Sequence, residues 1–161
     1  GGPNRIVQAA NYNAPAEVVI SGDEEDVADA VDRAEEFGAR RAVPLSVSGA
    51  FHTPLMGEAR DRLARTLEKL NLSAPDCPVY LNVSAEATTD PTEIKERLLD
   101  QLTSPVRWSQ ILRAMNEDGA DQYLEVGPGR VLCGLVRRTL GREAETRTAG
   151  TAEELRTLTG A

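Results

Sequence analysis

The first third of the chain alternates short apolar stretches with turn signals, which predicts two strands, a helix and a further strand. Residues 6–12 and 17–20 have the length and composition of strands, and the turn signal Asn13-Ala14-Pro15 separates them. A helix is predicted next, because apolar residues recur at three- and four-residue steps as far as Gly38, a typical C-cap. These apolar residues are Val27, Ala30, Val31, Ala34 and Phe37. Residues 42–47 are predicted to be a strand, so that residues 1–47 form one small lobe.

After a loop at residues 48–54, helices alternate with short strands, which is typical of an α/β layer with mostly parallel pairing. Helices are predicted at residues 55–70, 91–102, 105–118 and 131–140, and strands at residues 79–83 and 121–126. Residues 48–140 are therefore predicted to be the core of a larger lobe. Residues 141–161 are predicted to be a polar tail, with one short helix that begins at a capping box in residues 151–154.

These strands are too few to complete either lobe. Two parallel strands do not make a sheet that helices can cover on both faces, and the strand-strand-helix-strand order of the first lobe is also short of a closed sandwich. The pattern therefore indicates part of a larger α/β fold.

Composition and charge exclude several classes of function. The chain has 161 residues, 40% of them hydrophobic, and a formal net charge of −8, which argues against nucleic acid as a partner. Eight acids and one arginine lie between residues 23 and 36, so one solvated helix face carries most of this charge. One histidine and two cysteines exclude a histidine- or cysteine-rich metal site, and the cysteines are expected to be buried thiols. No apolar run suits a membrane span or a signal peptide, so we expect a cytoplasmic protein without membrane contact.

Four segments resemble, in order and in register, the malonyl-CoA:acyl-carrier-protein transacylases. The first two are NYNAPAEVVISG at residues 11–22 and SVSGAFHTPLM at residues 46–56, the second being similar to the family's active-site histidine loop. The others are QLTSPVRW at residues 101–108 and EVGPGRVL at residues 125–132. The resemblance runs from about residue 6 to residue 140.

The resemblance implies a ferredoxin-like small lobe that lacks its first strand and helix, followed by the C-terminal part of an α/β-hydrolase-like large lobe. The family's nucleophile lies in a G-H-S-x-G turn, and no G-x-S-x-G occurs in this chain. We therefore expect the serine, and the arginine that binds the substrate carboxylate, to lie upstream of Gly1 in a complementary N-terminal half. Without that half the chain is expected to be inactive.

The implied activity is that of an [acyl-carrier-protein] S-malonyltransferase, which moves malonyl from malonyl-CoA to the thiol of acyl carrier protein through a malonyl-serine ester. Fatty acid synthesis is the implied pathway, and a fragment of a polyketide synthase acyltransferase domain is an alternative. No cofactor or metal is implied, because exchange between two thioesters is close to isoenergetic. A different class of function, a carrier-protein binding module without catalysis, is left open by the missing nucleophile.

The resemblance also implies roles for individual residues. His52 is expected to be the general base and then the general acid, and the main-chain carbonyl of Gln101 is expected to accept a hydrogen bond from its ring. Phe51 is expected to favour malonyl over methylmalonyl by filling the space beside the acyl carbon. Asn11 and Asn82 are expected to line the pantetheine side of the cleft. The turn at residues 127–129 has neither the lysine nor the glycine spacing of a phosphate-binding loop, which favours a structural role.

Overall fold

The computed structural model describes residues 5–160, and its first elements are an antiparallel hairpin and a helix. β1 (Val7–Ala14) pairs with β2 (Glu17–Gly22), and α1 (Glu24–Asp32) continues into a short 3₁₀ turn (Ala34–Phe37). That turn ends at Gly38, whose φ of +84° is a left-handed conformation that glycine adopts without a steric penalty. The predicted hairpin, helix and C-cap are confirmed.

The strand predicted at residues 42–47 is wrong, because this segment is irregular and exposed. Its alternating apolar side chains face solvent, with Val43, Leu45 and Val47 exposed by 50%, 59% and 64%. A strand is stabilised by the hydrogen bonds of a neighbour. Within residues 5–160 no strand pairs with this segment, so its strand-like sequence has no partner.

The rest of the chain alternates helices and strands, which confirms the α/β class. In order, these elements are α2 (Gly57–Leu67), β3 (Val79–Tyr80), β4 (Ala87–Thr88), α3 (Pro91–Asp100), α4 (Trp108–Glu117), β5 (Gln122–Val126), α5 (Val131–Leu140), β6 (Glu145–Ala149) and α6 (Ala152–Thr159). β3 is shorter than the predicted strand and pairs antiparallel with β4, whereas β5 pairs parallel with β6. The expectation of mostly parallel pairing therefore holds for only one of these two sheets.

The tail predicted to be polar contains β6, which the sequence pattern missed. Its sequence, ETRTA, has no apolar residue before Ala149, so it lacks the composition of a buried strand. It forms because its backbone pairs with β5 along the whole of that strand, from Gln122 to Val126. The short helix expected after it is confirmed as α6, which begins at a capping box between Thr151 and Glu154.

The core lies where α4 and α5 pack against β1, β5 and β6. Its large buried side chains include Ile111 and Leu112 of α4 and Leu135 and Val136 of α5. Among the two thiols, Cys133 is buried as expected, but Cys77 is exposed because it lies in an exposed connecting segment.

Large apolar side chains nevertheless remain open to solvent at the edge of this core. Val126 at the end of β5 and Val131 at the start of α5 are 64% and 68% exposed, and Leu124 and Leu132 beside them are also exposed. Exposed apolar residues of this kind are typical of surfaces that bind another polypeptide, a membrane or a ligand.

Candidate active site

His52 lies in a tight loop that forces its backbone into an unusual conformation. Its φ is +61°, in the left-handed region that residues other than glycine rarely adopt. The next residue, Thr53, is fully buried, and its hydroxyl donates to the carbonyl of Ala50 at 2.7 Å while accepting from the amide of Leu55 at 3.3 Å. Backbone strain that the surrounding contacts maintain is typical of functional sites.

The ring of His52 is oriented by the end of a helix. Its Nδ1 lies 3.0 Å from the main-chain carbonyl oxygen of Gln101, the residue that caps the C-terminus of α3. Carbonyls in the last turn of a helix have no intrahelical partner and carry partial negative charge. We therefore assign the ring proton to Nδ1, which donates to this oxygen and leaves the Nε2 lone pair free to accept a proton.

The side chain of Gln101 has a different partner. Its Nε2 lies 3.1 Å from Nδ1 of His52 and 3.3 Å from the carbonyl oxygen of Ser104. An amide NH₂ group only donates, and Nδ1 already uses its proton on the Gln101 carbonyl, so the hydrogen bond that the side chain forms is the one to Ser104. The side chain thus stabilises the turn after α3, and the carbonyl orients the ring of His52.

Strand β1 contributes a residue that the sequence analysis missed. The side-chain amide of Gln8 donates to the carbonyl oxygen of His52 at 2.9 Å across 44 positions of sequence. Further along β1, the amide of Tyr12 donates to the carbonyl of Val106 at 2.8 Å, and the amide of Val106 donates to the carbonyl of Ala10 at 2.8 Å. The feature of the sequence that could have identified Gln8 is its position: it is a polar residue two positions before the buried Ala10, on the same face of a strand.

Phe51 lies next to His52 in sequence but is not part of the packed core. Its side chain is 42% exposed, and its ring lies within 3.8 Å of the position that a β-carbon would occupy at Gly49. The ring is therefore open to solvent.

The two asparagines lie in different parts of the fold. Asn11 is on β1, where it forms an isolated parallel bridge with Val106, close in sequence to the end of α3. Asn82 lies in the half-buried turn between β3 and β4. Within residues 5–160, hydrogen bonds bring Gln101 and Gln8 to His52, and neither asparagine side chain joins them.

The Glu-Val-Gly-Pro-Gly segment at residues 125–129 ends β5 and forms the turn that leads into α5. The carboxylate of Glu125 accepts from the amide of Cys133 at 2.8 Å in the first turn of α5, and this hydrogen bond lowers the pKa of Glu125 below its ordinary value. Gly127 and Gly129 have φ angles of +126° and +106°, which demand glycine. The turn therefore reverses the chain and caps α5 internally, as the structural interpretation of this segment predicts.

Neither a metal-binding cluster nor a membrane-spanning helix occurs among the described residues. Within residues 5–160, no three or more histidine, cysteine or acidic side chains are grouped so that they could hold a metal ion. The same part of the chain has no helix with both the length and the apolar composition that crossing a bilayer requires.

Burial raises the pKa of the Cys133 thiol, which donates to the carbonyl oxygen of Arg147 at 3.3 Å.

The chain is similar to known acyltransferases over nearly its whole length. Residues 3–157 match the acyl transferase domain family. The malonyl CoA-acyl carrier protein transacylase of Bacillus subtilis (strain 168) is 44% identical over 133 residues, which are 83% of this chain and 42% of that protein. The transacylase of Haemophilus influenzae is also 44% identical, over 84% of this chain and 44% of its own length.

Two solved structures superpose closely. The acyl carrier protein S-malonyltransferase of Vibrio cholerae has a TM-score of 0.90 and 40% identity, with 97% of this chain and 51% of that chain covered. A malonyl-transacylase in complex with a type II PKS acyl-carrier protein has a TM-score of 0.89 and 38% identity, with coverages of 99% and 52%. The chain thus spans about half the length of the relatives that it matches.

Proposed function

The chain belongs to the acyl transferase domain family, and from that membership we propose that it is the C-terminal half of a malonyl-CoA:acyl-carrier-protein transacylase. The observation that carries this proposal is the His52 ring, whose Nδ1 lies 3.0 Å from the helix-terminal carbonyl of Gln101. This arrangement prepares a general base, yet the chain contains no G-x-S-x-G nucleophile turn for it to serve. The nucleophilic serine is proposed to come from the half of the relatives that this chain does not cover.

The proposed reaction has two symmetrical stages. Nε2 of His52 accepts the proton of the serine hydroxyl as its oxygen attacks the malonyl thioester carbon, and the imidazolium then returns that proton to the departing CoA thiolate. In the second stage the same nitrogen accepts the proton of the carrier-protein thiol as its sulfur attacks the malonyl-serine ester. The proton finally goes back to the serine oxygen, and malonyl remains on the carrier thioester.

A main-chain carbonyl is sufficient to orient this base. The imidazolium exists only while the proton is in transit, and the C-terminal end of α3 places partial negative charge beside it. The carbonyl also selects the Nδ1–H tautomer, which is the task that a carboxylate performs in other triads. We propose that Phe51 borders the acyl group, and that Asn11 and Asn82 line the path of the pantetheine arm.

The exposed apolar residues support a complementary half. Val126 and Val131 are 64% and 68% exposed at the carboxyl edge of β5. Residues 42–47 have the sequence pattern of a strand but no partner within residues 5–160. We propose that the missing half supplies the remaining strands of an α/β-hydrolase-like lobe and completes a ferredoxin-like small lobe.

The names of the relatives are consistent with two biosynthetic pathways. The transacylases of Bacillus subtilis and Haemophilus influenzae carry names that specify malonyl CoA and acyl carrier protein, and we propose fatty acid synthesis on that basis. The relative in complex with a type II PKS carrier protein supports polyketide synthesis as the second candidate. Comparing transfer rates to a fatty-acid carrier protein and a polyketide carrier protein separates the two.

The test is a fusion in which the part of the Bacillus subtilis relative that this chain does not cover precedes the chain, hereafter the fusion enzyme. Incubated with malonyl-CoA and holo acyl carrier protein, it should increase the intact mass of the carrier by one malonyl group. With malonyl-CoA alone, the fusion enzyme itself should gain that mass on a peptide from the Bacillus part. His52→Ala should suppress both products, whereas the exposed control Gln110→Ala should suppress neither.

Two results would contradict the proposal, and each refutes a different part of it. A cooperatively melting fusion enzyme that binds carrier protein but never transfers malonyl would refute the enzyme and favour the non-catalytic binding module. Malonyl found covalently on a peptide of this chain would refute the proposal that the nucleophile lies in the other half.

A further inference from the structure

Strand β1 is hydrogen-bonded both to the loop of His52 and to the segment that follows Gln101. At its start, the side-chain amide of Gln8 donates to the carbonyl oxygen of His52 at 2.9 Å. At its middle, the backbone around Asn11 pairs with Val106, five residues beyond Gln101. The same strand therefore contacts both the His52 loop and the segment that follows α3.

The contact at Gln8 acts on the strained part of the loop. The φ of His52 is +61°, and relaxation to an ordinary negative φ would swing both the ring and the following peptide. Two other contacts oppose that relaxation: the hydrogen bond from the Thr53 hydroxyl to the Ala50 carbonyl within the loop, and the one from the His52 ring to the Gln101 carbonyl. The amide of Gln8 opposes it from outside the loop, because it holds the carbonyl oxygen that relaxation would displace.

We propose that Gln8 is a positioning residue for the catalytic base. It keeps the His52 peptide in the left-handed conformation that directs Nδ1 to Gln101 and Nε2 to the nucleophile. Because it touches the backbone and not the ring, it controls where the base lies and does not itself exchange protons. This inference rests on the proposed function, since it assigns Gln8 a role in the same acyl transfer.

The test uses two substitutions in the fusion enzyme. Gln8→Leu keeps the size of the side chain but removes its donor, and Gln8→Glu keeps its shape but offers a carboxylate, which cannot donate to a carbonyl. We expect each to lower kcat by about 10- to 100-fold, the effect of displacing a catalytic group by about 1 Å. KM for malonyl-CoA should change less than about twofold, because Gln8 contacts the loop and not the substrate. Gln110→Leu, on the exposed face of α4, is the matched control.

A second readout does not depend on activity. With ¹⁵N-labelled histidine, the ring signals of His52 are assigned as those that His52→Ala removes. In the parent these signals should show the Nδ1–H tautomer, and in Gln8→Leu they should move towards the tautomer mixture of a free imidazole. If Gln8→Leu fails to fold, Gln8→Glu, which is nearly the same shape, carries the same comparison.

The outcomes separate the two proposals. A lowered kcat with an altered tautomer supports the role of Gln8, whereas an unchanged kcat or an unchanged tautomer overturns it. If the parent fusion enzyme transfers no malonyl, the proposed function fails. The histidine spectrum then still decides whether Gln8 holds the base.

Discussion

Truncating Gln101 should harm catalysis far less than truncating His52, although the structure makes them close partners. Gln101→Ala removes the side chain but leaves the carbonyl oxygen that lies 3.0 Å from Nδ1. The hydrogen bond that it loses runs from Nε2 to the Ser104 carbonyl at 3.3 Å. A half-exposed neutral hydrogen bond contributes about 0.5–1.5 kcal/mol. If that whole loss appeared in the transition state, kcat/KM would fall by about 2- to 13-fold.

His52→Ala removes the proton acceptor itself. Losing a positioned acid–base group lowers transfer by roughly 10²–10⁴-fold. The loss should appear equally in formation of the malonyl-enzyme and in transfer to the carrier, because the same Nε2 serves both stages. Binding of carrier protein should be nearly unchanged, since His52 is one half-buried side chain.

Stopped-flow measurement of CoA release, followed by intact mass of the carrier protein, gives the two stages separately in the fusion enzyme. Gln110→Ala, an exposed glutamine on α4, controls for the general effect of truncating a glutamine. Equal losses for Gln101→Ala and His52→Ala would refute the reasoning. That result would mean that the side-chain amide, 3.1 Å from Nδ1, orients the ring instead of the carbonyl.

Three further predictions follow from other parts of the chain. Phe51→Ser should open space beside the acyl carbon, so that a competition assay shows methylmalonyl-CoA gaining on malonyl-CoA by about 1–2 kcal/mol, or roughly 5- to 30-fold in the ratio of kcat/KM values. Glu125 has a lowered pKa, so its contribution to stability is complete above the ordinary glutamate value of 4.5 and is lost as the pH falls through the lower folded-state pKa. Glu125→Gln still accepts a hydrogen bond but does not titrate. The free energy of unfolding of this variant, measured against pH, should therefore lack the pH dependence that Glu125 contributes. The chain without its complementary half should bind a hydrophobic dye and self-associate on size exclusion, because Val126 and Val131 are 64% and 68% exposed.

Each of these expectations has a contrary result. An unchanged ratio between the two CoA esters would mean that selectivity lies outside the Phe51 ring. Acid unfolding of Glu125→Gln that matches the parent would show that another carboxyl group accounts for the pH dependence. A monodisperse, cooperatively melting monomer of the isolated chain would contradict the need for a partner half.

Local sequence patterns were sufficient for most helices and for the first hairpin. The periodic apolar residues of α1 and the prolines, glycines and capping residues at the ends of α3 and α6 act within a few positions of sequence. The histidine loop was identified through its resemblance to a known family, and the structure then showed that Thr53 stabilises it by contacts within three residues. Gln101 was identified through the resemblance of its segment to a known family, and the structure then showed its carbonyl at the ring of His52.

The sequence by itself therefore determined most of the local elements and the α/β class, and its resemblance to a known family predicted His52 as the base. Only the tertiary structure decided that the polar segment Glu145–Ala149 is a strand, that residues 42–47 are not, and that Gln8 holds the carbonyl of His52. The physical reason is the same in each case. A strand exists through hydrogen bonds to a neighbouring strand, and the Gln8 contact spans 44 positions, so neither is encoded in the spacing of adjacent residues. These features depend on which distant backbone groups the fold brings within hydrogen-bonding distance.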